Sequence, residues 1–189
     1  MTHSLAAAAG FAGLCALSLA LGACSDGAID ADSDGDGEVS REEMAAASDA
    51  MSDQVKPLPG EYRATVNFIE ADIAGAPPEM MEMIGNQMSS TRTFCMTPEM
   101  ADEGFGEAMQ EGQGADNCTV NKMTIDSGTM DMAMTCSDPQ VGEMRISMNG
   151  DVSPTRSDVT MVSQGTFGPL GEGRMEMNFV QERIGDCEG

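Results

Sequence analysis

CTVNKMTIDSGTMDMAMTC, residues Cys118 to Cys136, holds two runs of β-branched and apolar residues around Asp126-Ser127-Gly128. A short polar, Gly-bearing break between two such runs signals a β-hairpin. Read as a three-residue loop, it sets Cys118 directly opposite Cys136, and a disulfide across the hairpin is expected. On the second run Met130, Met132 and Met134 share one face, because side chains alternate along a strand. Similar runs lie on both sides. Upstream are EYRATVNFIEA, Glu61 to Ala71, and SSTRTFCM, Ser89 to Met96. Downstream are VGEMRISMNG, SDVTMVSQG and GRMEMNFVQERI, between Val141 and Ile184. The pattern predicts about seven strands joined by short Gly- or Asp-bearing turns. The fold class expected is mainly β: an antiparallel meander, either a sandwich or a partly closed barrel. Two pieces read as helix. PPEMMEMIGNQM begins with Pro77-Pro78, and TPEMADEGFGEAMQE offers Thr97 as N-cap with Pro98 behind it.

Four cysteines fall within this β-rich region: Cys95, Cys118, Cys136 and Cys187. An even number in an exported domain implies two disulfides. With Cys118 paired to Cys136, Cys95 is left for Cys187, tying the last strand to an early one. A zinc site is disfavoured, since no CxxC spacing occurs and the only histidine is His3.

Export is also written at the N-terminus. Leu5 to Ala23 is almost wholly Ala, Leu, Gly, Phe and Ser, and it ends at LGAC, Leu21 to Cys24. This resembles a bacterial lipoprotein leader, cut before a cysteine that is then acylated. The resemblance implies removal of residues 1–23 and lipid on Cys24. Ser25 behind it favours the outer membrane of a two-membrane cell, with the protein facing the periplasm. The alternative is an uncleaved anchor, since this apolar stretch is just long enough to span a bilayer.

The charge narrows the partners. Against 32 acidic side chains stand 9 basic ones, a net charge of −23. Such a surface repels phosphate backbones, so nucleic acid is not an expected partner, and it attracts divalent cations. No protein partner is indicated. With His3 in the leader, the mature chain has no imidazole for a general base or a triad. No GxSxG, phosphate loop or HExxH occurs, and a non-enzymatic role is expected.

Residues 24–54 form an acidic segment that contains DSDGDGEVSREEM, Asp32 to Met44. A calcium loop of the helix-loop-helix type needs oxygen ligands at positions 1, 3, 5, 7, 9 and 12, with Gly at 6. Counting from Asp32 gives Asp32, Asp34, Asp36, Glu38 through its carbonyl, Ser40 and Glu43, with Gly37 sixth and Val39 eighth. Counting from Asp30 fails, because position 12 becomes Arg41. The loop resembles the EF-hand family, with SREEMAAASDAM as its exiting helix. No second loop is present to pair with it. The resemblance therefore implies one weak Ca²⁺ site, on the order of 10⁻⁴ to 10⁻³ M, in a flexible segment that orders when the cation binds.

The β-rich part, 55–189, resembles domain-of-unknown-function family 3617, small bacterial envelope proteins. The residues that carry the resemblance are GEY after KPLP, TRTFCMTPE, the two middle cysteines and the terminal RIGDC. It implies a periplasmic β-domain without an assigned activity. The calcium loop is an addition to that pattern.

Methionine is the remaining signal. The chain has 19, including Met144 and Met148 around Ile146, and Met175 and Met177 before Phe179. Period two places each set on one face. A soft core is the expected reading. Cu(I) or Ag(I) handling by thioethers, or carriage of a small apolar ligand, is the alternative.

Overall fold

A computed structural model of the chain describes residues 28–102, 117–138 and 142–188. The strands are β1 (Ile29–Asp30), β2 (Gly60–Ile73), β3 (Ser90–Met96), β4 (Cys118–Asp126), β5 (Thr129–Asp138), β6 (Gly142–Ser153), β7 (Arg156–Thr166) and β8 (Glu172–Gly185). Helix α1 covers Arg41–Val55 and α2 covers Pro78–Met88. The strands form one antiparallel sheet in the order β1-β4-β5-β6-β7-β8-β2-β3. The meander expected from the sequence is therefore present, as one open sheet rather than two facing ones. Strand β8 returns alongside β2, which joins the chain's end to its first long strand.

The hairpin reaches its expected disulfide by an unexpected route. Asp126 pairs with Thr129, so the turn has two residues, Ser127 and Gly128, not three. Both have positive φ, 51° and 84°, as a type I′ turn requires. On its own that turn would put Thr119, not Cys118, opposite Cys136. A register shift between Val120 and Lys122 leaves Asn121 unpaired and moves the rest of β4 by one residue. Cys118 then faces Cys136, and the two are bonded with a Cα–Cα distance of 3.9 Å. Cys95 is bonded to Cys187 at 5.5 Å. The C-terminal tail beyond β8 crosses the end of β2 to reach β3.

One face of the sheet is apolar. Met123, Met132, Met148, Met161, Met177 and Phe68 lie in a single cross-strand row from β4 to β2. Met123, Met130 and Met132 are fully buried. Burial of each such side chain contributes about 1.5–3 kcal/mol. At the β2 end, α2 covers this face. Gly85 lets it approach, because a Cβ there would lie 2.8 Å from Cδ1 of Phe68. Pro78 in its first turn starts α2 as expected. Thr97 also acts as anticipated, its hydroxyl accepting from the Met100 amide. The remainder of that helical piece, from residue 103, lies outside the described residues. Ala101 packs there with Met96 on Tyr62, whose ring stacks on Phe94 at 5.9 Å.

At the β4 end the cover comes from the acidic segment itself. Ala31, Val39, Met44 and Ala47 are buried in one cluster with Val120, Met123, Ile125, Met130 and Met132. The sequence pattern sets a domain boundary near Val55, but the packing crosses it. Helix α1 ends where Pro57 disfavours helical backbone at Lys56.

Candidate metal centre

The loop between β1 and α1 bends around its own carboxylates. Asp32 accepts from the Gly35 amide at 2.8 Å with Oδ1 and from the Gly37 amide at 3.0 Å with Oδ2. Asp34 accepts from the Asp36 amide at 3.1 Å, and Asp36 from the Glu38 amide at 2.9 Å. These bonds turn the side chains inward. Gly37 has φ +88°, and a Cβ added there would meet nothing within 4 Å, so its backbone conformation is the requirement, not space. One oxygen from each of Asp32, Asp34 and Asp36 lies within 4.8 Å of the others. Three like charges so close favour a cation among them.

Glu43 sits across the loop from this triad. Its Oε1 accepts from the Ser33 amide at 3.0 Å and the Ser33 hydroxyl at 2.8 Å. Its Oε2 accepts from the Ser40 amide at 3.0 Å and the Ser40 hydroxyl at 2.8 Å. The Ser40 amide, the Ser33 hydroxyl and the Ser40 hydroxyl, in that order, hold the Glu43 carboxyl down at about 2. Ser40 in turn caps α1, so Ser40 and Glu43 form a capping box. The loop spacing assigns both residues as ligands and says nothing of this second role, although Ser40-Arg-Glu-Glu43 fits the capping-box pattern. Glu38 lines the same cleft as Asp34 and Asp36. That cleft, of about 320 Å³, has Asp34, Asp36 and Glu43 on one wall and Cys118, Thr119 and Val120 on the other.

Two backbone hydrogen bonds tie the loop to β4. The Ala31 amide donates to the Met123 carbonyl and the Val39 amide to the Val120 carbonyl, both at 2.8 Å. Ile29 pairs with Ile125, and Asp30 with Thr124. Met130 and Met132, suggested above as soft-metal ligands, are packed among Val120, Ile125 and Val159 in the core. Met134 and Met148 pack on the margin of the same cluster. Cys24 and the leader lie outside the described residues.

A single disulfide-stapled antiparallel sheet, its face filled by methionine, defines the class. Disulfides persist in oxidising compartments, which fits an exported protein. No helix among the described residues is long and apolar enough to cross a membrane. The chain belongs to the family described as Protein of unknown function (DUF3617), whose model matches residues 57–187. No curated protein and no solved structure matches it. The candidate metal loop lies before the matched region yet packs onto its first hairpin.

Proposed function

We propose that this is a lipid-anchored envelope protein that binds one calcium ion at Asp32–Glu43. The observation that carries the reading is the convergence of the Asp32, Asp34 and Asp36 carboxylates within 4.8 Å in a loop of EF-hand spacing. Glu38 contributes its carbonyl, Ser40 a position reached through water, and Glu43 two oxygens after turning from its serine partners. Lipid on Cys24 anchors the chain. Asp32 is the eighth residue after that cysteine, so the loop begins within about 28 Å of the membrane surface. The β-domain acts as a binding or structural module rather than an enzyme.

Calorimetric titration of the chelator-stripped protein tests the calcium reading. Heat for one site per chain is expected, with none for Glu43→Gln. Glutamine still satisfies a capping box, so that variant keeps α1 while losing a charged ligand. Absence of heat up to millimolar calcium would refute the reading. Fatty-acid labelling that persists in Cys24→Ser would refute the anchor.

A further inference from the structure

EF-hand-type loops use the backbone at position 8 for a short β-contact. This chain has no second loop to supply the partner, and Val39 makes its contact with β4 instead. The contact is one of three. Ala31, just before the first ligand, is bonded to Met123. Met44, just after the last ligand, is buried against the β4–β5 hairpin together with Ala47. Start, middle and end of the loop are thus each fixed to the sheet. Hydrogen bonds from loop amides turn the three carboxylates inward, and the sheet anchors fix the backbone that carries them against their mutual repulsion.

We infer that β4 serves as the missing half of the calcium site, so that cation binding and closure of the strap, residues 29–47, over the β4 edge are one coupled equilibrium. This rests on the calcium reading above. Coupling is reciprocal: whatever docking adds to calcium affinity, calcium adds to docking. With calcium, the strap covers the edge and the Met123–Ile125 part of the core. Without it, repulsion among Asp32, Asp34 and Asp36 loosens the strap. An uncovered edge strand is then free to pair with other chains. Calcium outside the cell would thereby regulate how much of the sheet edge the protein presents.

Amide hydrogen exchange on the full chain, beside calorimetry, separates the possibilities. Met123 and Ile125 are two residues apart, so their amides share the side of β4 that the strap covers. At calcium a hundred times the measured Kd, their exchange should slow about a hundredfold, and should not change in Glu43→Gln. Binding heat with unchanged exchange at Met123 and Ile125 would overturn the coupling and leave the calcium reading intact. No binding heat would remove both. The reverse direction is read in Ala47→Asp, which disturbs docking and touches no ligand. Its calcium affinity should fall at least about tenfold, and an unchanged Kd would overturn the inference. Should that variant not fold, Met44→Ala provides the same reading with a milder perturbation.

Discussion

The two disulfides should differ in what they contribute, and their positions give the size of the difference. Cys95 and Cys187 are 92 residues apart, Cys118 and Cys136 only 18. A cross-link restrains the unfolded chain in proportion to the logarithm of the loop it closes. The chain-entropy relation gives about 4.6 kcal/mol for the long loop and about 3.2 kcal/mol for the short one at 25 °C. The native structure adds to this ranking. The short loop spans a hairpin whose strands also pair along their length, whereas β3, which carries Cys95, pairs among the described strands only with β2. The perturbation is Cys95→Ser with Cys187→Ser, compared with Cys118→Ser with Cys136→Ser. Urea unfolding followed by far-ultraviolet circular dichroism measures both. The long-range pair should cost more, by about 1.4 kcal/mol, with β-structure kept in both variants at zero denaturant. Equal losses, or a larger loss for the hairpin pair, would refute the chain-entropy reasoning.

Three further outcomes are expected. Glu43 has its carboxyl lowered from 4.5 to about 2 in the folded chain, so its contribution to stability is complete above 4.5 and disappears as pH falls toward 2. Wild type and Glu43→Gln should converge in urea midpoint across that window, and a constant gap would contradict the assignment. The Tyr62 hydroxyl sits 2.8 Å from the Leu58 carbonyl and 3.0 Å from that of Pro154. Tyr62→Phe should cost about 1–3 kcal/mol in thermal unfolding. Burial raises the Tyr62 pKa above 10.0, and because it is the sole tyrosine its ionisation is directly visible by ultraviolet absorbance. Ser127 occupies a left-handed turn position at φ 51°, where Asn is better tolerated. Ser127→Asn should therefore stabilise the hairpin by roughly 0.5–1 kcal/mol. A drop in melting temperature would show that the turn is not type I′.

The strands were legible because methionine and β-branched residues alternate over runs long enough to exclude a helical period. The pairing of Cys118 with Cys136 was legible too, but through two misreadings that offset each other. The turn is one residue shorter than Asp126-Ser127-Gly128 suggested, and the bulge at Asn121 restores the register. A signal for that bulge was present. Apolar side chains fall at Val120, Met123 and Ile125, a step of three followed by a step of two, and only an extra residue keeps all three on one face. The docking of α1 was hidden for a different reason. Its buried contacts are Met44 and Ala47 in an Ala- and Glu-rich stretch, which has no strong apolar stripe to announce a partner.

The same bulge explains how a segment outside the matched family region can complete the sheet. The carbonyls of Met123 and Val120 both accept from the strap. In a regular strand, residues three apart turn their backbone groups to opposite edges, so one of these carbonyls would face β5 and the strap could bond only to the other. Asn121 absorbs the odd residue, and both carbonyls meet the amides of Ala31 and Val39. One irregularity therefore carries three consequences. It keeps Val120 on the buried face, brings Cys118 to Cys136, and gives the candidate calcium loop two backbone anchors on β4. A loop held at these points needs little of an entering helix, and the residues described just before it, Ile29–Asp30, are strand instead.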